Sequence, residues 1–393
     1  MDEKFYQHIV VHGLPFERGR SYGIQARSKI LANVQYYKLP GKLIPLEECY
    51  EIISRVYIPA IEKLMPSTMK ELKGIAEGSG ATLLDILLVN CRYDLSRIAS
   101  KSQSQSAREL EHVAEAANEC TSCCVMGRET VDNQVYLAQN WDISSHILSD
   151  DLAVYLEIYP DPSEGIPNMF IVTEAGQLGR SGMNSAGLGV CANSLMSSED
   201  FNPLDSTMME KPYLPISLVR RLFLEHNLLG AALMAIHNCP RHVSNNLTIG
   251  TAEGFTMCLE ITPSEIYRIY PEGREIVVHA NHFESPGFSC SPFRDRYPGP
   301  SSWYRARQVY KELSNHSKIG QPQITKALCD HLSWPLSVCQ HPSAKDSAAK
   351  EHAFSGNATV AHVVYNLTEK VAIVCKGPPC EGQLQYFRLG DPN

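Results

Sequence analysis

Cys120 is the residue of this sequence whose surroundings best suit nucleophilic chemistry. It lies in the run NECTSCC (118–124), between a polar segment rich in Ser, Gln, Ala and Glu (99–119) and a region that alternates like paired strands (120–142). Such a change of pattern marks a junction between a linker and a strand. If the peptide bond between Glu119 and Cys120 is cleaved, Cys120 gains an α-amino group with a pKa of about 7.7–8, which can accept the thiol proton. The sequence therefore predicts a nucleophile and its general base in one residue.

Three further polar residues lie at the ends of predicted strands. Asp142 closes the run QNWD (139–142), and its carboxylate can orient a nearby thiol and amine. Asn281, in the run HANH (279–282), can donate a hydrogen bond to the oxyanion of a tetrahedral intermediate. Asn193 is a second candidate for the same pocket, through its backbone N–H. The structural alternative for Asp142 and Asn281 is a turn residue, because Asp and Asn are common where strands end.

Several motifs together resemble the isopenicillin N acyltransferase family, whose members are self-processing cysteine N-terminal nucleophile hydrolases. The resemblance begins with ECTSCC and AQNWD around the candidate nucleophile. It extends over nearly the whole chain, through HGLPFERG (12–19), IVTEAG (171–176), GMNSAGLGV (182–190), HANH (279–282) and WPLSVC (334–339). It implies catalytic roles for Cys120, Asp142 and Asn281, and substrate-binding roles for Asn193 and Gln340.

The pattern of apolar residues predicts a chain that changes character at residue 120. The first 98 residues are mostly helical by periodicity, apart from a short strand at 5–11. Strands are predicted after that point at 120–127, 134–141, 152–159, 168–173, 179–184 and 188–193, and helices and further strands follow. Alternating runs of helices and strands indicate layered packing. The resemblance implies the specific α+β fold, a four-layer αββα sandwich.

The same resemblance implies how the chain is divided. Residues 1–119 would form a mainly helical fragment that ends in the polar linker 99–119, and residues 120–393 would form the nucleophile-bearing fragment. We expect the two fragments to stay associated after cleavage as one folded unit.

Composition narrows the classes of partner. The 393 residues are 44% hydrophobic and 20% charged, as expected for a globular protein, and the net charge of −8 comes without a Lys/Arg cluster. Nucleic acid and anionic membrane surfaces are therefore not expected partners. The start MDEKFYQH has neither the basic nor the apolar region of a secretion signal, and the last four residues, GDPN, lack the peroxisomal SKL tripeptide. With thirteen irregularly spaced cysteines, expected to be reduced, these features predict a cytoplasmic protein.

A metal site at the nucleophile is not expected. Cys120 and Cys123 form half of a zinc-binding pattern, and His279 and His282 are the late pair at suitable spacing. In a strand, however, Cys123 would point to the face opposite Cys120. We expect no metal and no bound cofactor, with acyl-CoA as a possible co-substrate.

Two residues depart from the family pattern. Glu119 stands before the nucleophile, where the family often has Gly, whose backbone tolerates the strain that assists an N→S acyl shift. Gln340 stands where the family usually has an arginine, and Gln supplies neither a charge nor a guanidinium fork. These changes predict slower self-cleavage and a less anionic substrate, or an impaired protein.

The sequence therefore predicts a self-processing cysteine acyltransferase that forms an amide from acyl-CoA and an amine, and the resemblance implies a role in secondary metabolism. Amide hydrolysis is the first alternative. The second is a relative that is not processed, has no catalytic activity and acts as a binding protein.

Overall fold

The computed structural model describes residues 4–102, 120–205, 211–341 and 356–390, with the backbone alone for 99–102. The N-terminal part begins with strand β1 (Gln7–Gly13) and is otherwise helical, as predicted. Its helices are α1 (Pro15–Gln25), α2 (Arg27–Tyr37), α3 (Leu46–Ile52), α4 (Ile58–Leu64), α5 (Pro66–Ser79) and α6 (Leu83–Ser102), with a π-helical turn at Ile53–Tyr57 between α3 and α4.

Close backbone contact fixes helix α1 against helix α5. A Cβ atom at Gly19 would lie 2.0 Å from the carbonyl oxygen of Glu71, and one at Gly74 would lie 2.1 Å from the carbonyl oxygen of Phe16. Both distances are far inside van der Waals contact, so only glycine allows the two helices to approach this closely. Gly19 belongs to the HGLPFERG motif, and its role is therefore packing rather than chemistry.

The strands form two sheets, and β1 belongs to the larger of them. The larger sheet has the order β1-β4-β5-β6-β7-β8-β9-β10, and β1 pairs in parallel with β4 whereas the other pairs are antiparallel. Its strands are β4 (Ala153–Pro160), β5 (Met169–Glu174), β6 (Ser181–Asn184), β7 (Leu188–Ser194), β8 (Asn245–Thr251), β9 (Phe255–Ile261) and β10 (Ile266–Ile269).

The smaller sheet is antiparallel and contains six strands in the order β11-β2-β3-β12-β13-β14. Its strands are β2 (Cys120–Val125), β3 (Tyr136–Ser144), β11 (Ile276–His279), β12 (Asn357–Asn366), β13 (Val371–Lys376) and β14 (Leu384–Arg388). The remaining helices are α7 (His146–Ser149), α8 (Ile216–Leu224), α9 (Leu229–Asn238), α10 (Pro286–Ser289), α11 (Ser301–Ser314) and α12 (Gln321–Leu328).

Three apolar cores separate four layers. The central core lies between the sheets and joins Leu137 and Trp141 of the smaller sheet to Tyr155 and Phe170 of the larger one. A second core lies between the larger sheet and helices α1–α6, α8 and α9, and a third lies between the smaller sheet and helices α11 and α12. Each fully buried large apolar side chain contributes about 1.5–3 kcal/mol relative to exposure. The order of the layers is helices, larger sheet, smaller sheet and helices, which confirms the predicted four-layer αββα sandwich and its α+β class.

A buried ion pair ties the N-terminal helices to the larger sheet. Arg92 of α6 donates from Nε to Glu174 Oε1 at 2.7 Å, and the Tyr37 hydroxyl of α2 donates to Glu174 Oε2 at 2.7 Å. Both charged side chains are buried, so the pair fixes the position of α6 over β5.

The structure corrects some predicted boundaries. The first part of the predicted helical region forms two helices, α1 and α2, which are separated at Ala26, and β14 was not predicted. Strand β3 continues to Ser144, so Asp142 lies inside a strand and not at its end. Among the described residues, no helix has the length and apolarity needed to cross a membrane.

Candidate active site

Cys120 is the first residue of β2, and it is fully buried. It pairs with Trp141 of β3, and its side chain belongs to the central core between the two sheets. Cys124 shares that core, whereas Cys123 packs into the core under helices α11 and α12. The predicted opposite orientation of Cys120 and Cys123 is thus confirmed. Glu119 and residues 103–119 of the predicted linker lie outside the described residues.

The backbone of Cys120 is held at both of its polar groups. Its N–H donates to Asn281 Oδ1 at 2.7 Å, and its carbonyl oxygen accepts from Arg305 Nη1 at 2.8 Å. Arg305, on α11, also donates from Nη2 to Asn281 Oδ1 at 2.9 Å. One buried guanidinium therefore fixes both Cys120 and the side chain that binds the Cys120 nitrogen.

The thiol of Cys120 lies against a second buried arginine. Arg180 donates from Nη2 to Sγ at 3.2 Å, and its guanidinium carbon stacks 4.4 Å from the centre of the Trp141 ring. The thiol itself points to the carbonyl oxygen of Asp142 at 3.9 Å. Burial raises the pKa of Cys120 above its usual value, and the positive charge of Arg180 opposes that rise. Arg180 therefore favours the thiolate in a site that otherwise favours the thiol.

Asp142 is oriented by a short chain of contacts from β12. The Thr359 hydroxyl donates to Asp142 Oδ1 at 2.6 Å. The same hydroxyl oxygen accepts from the backbone N–H of Gln340 at 2.9 Å, and the Thr359 N–H donates to the Gln340 carbonyl at 3.0 Å. The backbone of residue 340 thus positions Thr359, and Thr359 positions the carboxylate.

Asn281 lies two residues beyond β11 and contacts Cys120 through its carbonyl oxygen. Its Nδ2 donates to the Ser194 carbonyl oxygen at 3.0 Å, and its backbone N–H donates to the Ser302 hydroxyl at 2.6 Å. An amide nitrogen carries two N–H groups. The expected role as an oxyanion donor therefore stays a prediction, whereas the observed contact is the hydrogen bond that Asn281 Oδ1 accepts from the Cys120 nitrogen.

Asn193 is the last but one residue of β7, close to the strand end as predicted, and its side chain joins the two sheets. Its Nδ2 donates to the Ser122 hydroxyl at 2.8 Å and to the His279 carbonyl at 3.0 Å, and its Oδ1 accepts from Gln139 Nε2 at 2.7 Å. None of these contacts reaches Cys120. The structure therefore gives the Asn193 side chain a positioning role, and a substrate contact through its backbone stays a prediction.

Sequence reasoning missed Arg180, Arg305 and Thr359. Arginine side chains are mostly exposed, so a single arginine in a sequence rarely signals a buried functional group. A weak signal was available for Arg180, because it follows the IVTEAG motif by four residues and directly precedes strand β6. Arg305 and Thr359 come from elements more than 180 residues from Cys120, and only the fold brings them to it.

The sequence profile of the family described as acyl-coenzyme A:6-aminopenicillanic acid acyl-transferase matches residues 129–377, well over half of the chain. The chain belongs to this family. The resemblance predicted from the motifs is thereby confirmed. The chain is also 24% identical over 376 residues to the acyl-coenzyme A:6-aminopenicillanic-acid-acyltransferase 40 kDa form of Emericella nidulans, covering 95% of this chain and 93% of that protein.

Two solved structures are also similar. Penicillin V acylase from Agrobacterium tumefaciens has a TM-score of 0.44 and 12% identity, covering 69% of this chain and 86% of that one. A mutant of conjugated bile acid hydrolase from Clostridium perfringens has a TM-score of 0.44 and 11% identity, covering 70% of this chain and 93% of that one.

Proposed function

We propose that this protein is an enzyme that cleaves itself before Cys120 and then transfers acyl groups through a thioester on that residue. The observation that carries the proposal is that the nitrogen and the sulfur of one buried cysteine each have a dedicated partner. Asn281 binds the nitrogen at 2.7 Å, and Arg180 binds the sulfur at 3.2 Å.

Self-cleavage begins with attack of the Cys120 sulfur on the carbonyl carbon of Glu119. The peptide C–N bond breaks, a thioester forms, and the nitrogen of Cys120 takes up the thiol proton as it becomes an amine. Water then hydrolyses the thioester, which releases the Glu119 carboxylate and regenerates the thiol. Arg180 stabilises the negative sulfur in the attack, and we assign to the Asp142 carboxylate the orientation of the new amine.

The new amine acts as the base in each later turnover. Because Asn281 Oδ1 accepts one N–H of Cys120, the amine lone pair is oriented away from that oxygen and is available to the thiol of the same residue. The thiolate attacks the carbonyl of an acyl donor, and a tetrahedral oxyanion forms and collapses to a thioester. We assign the oxyanion contact to the side-chain amide of Asn281.

The acyl donor in the proposed reaction is a coenzyme A thioester. Free coenzyme A leaves as the Cys120 thioester forms, and the nitrogen of an amine then attacks that thioester to give an amide and the free thiol. The names of the family and of its Emericella relative support this choice. Because Gln340 is neutral, we expect neutral or cationic amines to be preferred over amines that carry a carboxylate.

Amide hydrolysis is the second candidate. The same thioester forms from an amide, with loss of an amine, and water takes the place of the acceptor. The names of the family and of its Emericella relative, both acyl-coenzyme A acyltransferases, support transfer as the first candidate.

The test is denaturing mass spectrometry of the purified full-length protein. We expect two polypeptides, residues 1–119 and 120–393, from the wild type, and one uncut chain from Cys120→Ala. Cys123→Ala is the matched control, because it changes a neighbouring buried cysteine on the opposite face of β2, and it should be cut normally. An uncut wild type that still forms amides would refute the processing step.

A further inference from the structure

Four potential metal ligands lie together outside the active site. They are His331, Cys339, His341 and Cys380, and their ligand atoms all lie within 4.8 Å of one another. Two of them stand on either side of Gln340, and Cys380 comes from the segment after β13. Among the described residues, these side chains form the group of three or more potential ligands that lie close enough together to hold one metal ion.

The separations match the edges of a tetrahedron around one ion. The two sulfur atoms are 3.7 Å apart, Cys380 Sγ lies 3.2 Å from His341 Nε2, and Cys339 Sγ lies 3.7 Å from the same nitrogen. The Nε2 atoms of His331 and His341 are 3.2 Å apart. Zinc bonds of about 2.3 Å to sulfur and about 2.0–2.1 Å to nitrogen place tetrahedral ligand atoms about 3.8 Å (S–S), 3.5 Å (S–N) and 3.3 Å (N–N) apart.

A carboxylate completes the pattern. His341 faces the cluster with Nε2, and its Nδ1 lies 3.2 Å from Glu381 Oε1. Histidine ligands of metals usually donate their second ring N–H to a carboxylate, which fixes the tautomer with its lone pair toward the ion. Nothing in a merely packed cysteine and histidine cluster requires this arrangement.

We propose that His331, Cys339, His341 and Cys380 bind one structural zinc ion. Two thiolates and two imidazoles in tetrahedral array are the ligand set that zinc prefers, and four protein ligands leave no open position for substrate. The two thiols lose their protons on binding, so affinity falls at acidic pH. This proposal departs from the expectation that the chain binds no metal, which rested on the cysteines of β2 and on His279 and His282, none of which belongs to this cluster.

The ion connects the surface to the active site. Cys339 and His341 are the immediate neighbours of Gln340, whose backbone exchanges two hydrogen bonds with Thr359. Thr359 in turn donates to Asp142. Zinc would therefore fix the segment that positions the carboxylate beside the nucleophile.

The test measures metal directly and uses untagged full-length protein. After extensive dialysis against a chelator and then against metal-free buffer, the protein is titrated with zinc and its bound metal is measured by mass spectrometry. We expect one zinc per chain, and cobalt in its place should give the visible absorption of a tetrahedral cobalt–thiolate centre.

Variants of exposed residues distinguish zinc binding at this cluster from zinc binding elsewhere on the protein. Cys380→Ser should lower zinc affinity at least about 100-fold, and Glu381→Gln should lower it about 10- to 100-fold. Cys290→Ser, which removes another exposed cysteine, should bind zinc like the wild type. Hydrogen exchange of the peptide that contains Thr359 should become faster when zinc is removed.

Three results would overturn the proposal. They are a wild type that takes up no stoichiometric zinc, a loss of binding in Cys290→Ser equal to that in Cys380→Ser, and a disulfide between Cys339 and Cys380 in the freshly purified protein. None of these measurements depends on self-cleavage or acyl transfer, so the proposed function can fail while the zinc site stands.

Discussion

Arg180 offers the sharpest test of how the nucleophile is activated. Its guanidinium donates to Cys120 Sγ at 3.2 Å, and both side chains are buried. We compare Arg180→Met, which removes the charge while keeping most of the length, with Arg180→Lys, which keeps the charge. If the positive charge stabilises the thiolate, only the Met variant should lose activity strongly.

The size of the effect follows from the contact distance. A charge spread over a guanidinium in contact with sulfur acts from about 4 Å, where two unit charges interact by about 4 kcal/mol at an effective dielectric constant of about 20. Burial penalises the ionised forms of both groups, and we take about half of that energy, about 2 kcal/mol, as the net loss. This corresponds to a rate about 30-fold lower at neutral pH.

The pH dependence of the rate shows in which direction the pKa of Cys120 changes when Arg180 is replaced. Burial raises the pKa of Cys120 and Arg180 lowers it, so removing Arg180 raises the pKa further. The rate of the Met variant should therefore keep increasing at pH values where the wild type has reached its plateau. The Lys variant should stay close to the wild-type profile.

The assay is self-cleavage, because it needs no substrate. Precursor of each variant is purified from short expressions and incubated over a series of pH values, and the fraction of cut chain is followed by denaturing mass spectrometry. Thermal unfolding of each precursor controls for folding. The reasoning is wrong if Arg180→Met and the wild type have the same profile, or if the Lys and Met variants are equally slow.

Four further predictions concern the neighbouring residues. Asn281→Ala should lower turnover on the order of 10²–10³-fold and, because the side chain is buried and bonded, should also lower the free energy of unfolding by about 1–3 kcal/mol; denaturant unfolding and steady-state rates measure both. Thr359→Val removes the hydroxyl bound to Asp142 and should slow self-cleavage by about 10-fold or more, with Thr359→Ser as the control that keeps the rate. Gln340→Arg should shift amine preference toward carboxylate-bearing acceptors in an acyl-CoA panel; equal preference in both proteins would show that charge at this position is unimportant. Arg92→Met leaves a buried carboxylate without its cation and should cost about 3–5 kcal/mol of stability with self-cleavage chemistry intact in the folded fraction.

Much of the fold could be predicted because its signals are local. The strand that begins at Cys120 follows a polar linker, and the alternation after it has the period of a half-buried strand. The observed β2 begins at that residue. The strand β14 has no such signal, since its residues are half exposed at the edge of the smaller sheet.

In the candidate site, too, the local features could be predicted and the contacts between distant elements could not. Cys120, Asp142 and Asn281 could be found by type and motif, and the fold brings them together. The hydrogen bonds that give each its role could not be predicted, because Arg180 and Arg305 come from other layers of the fold. Asn281 shows the difference, since its residue type suggested a donor whereas its observed contact with the Cys120 nitrogen is that of an acceptor.

The parallel strand β1 determines the order in which the protein must fold and be cleaved. It is the edge strand of the larger sheet, and seven of its residues pair with β4. A chain that starts at Cys120 would leave the apolar strand β4 as a bare edge with unpaired N–H and C=O groups, open to pairing with another molecule. Expression of residues 120–393 alone should therefore give aggregates, whereas co-expression with residues 1–119 should give a monodisperse protein. Residues 1–119 would thus act as an intramolecular chaperone for residues 120–393. Cleavage of the chain would come only after the two segments have folded together.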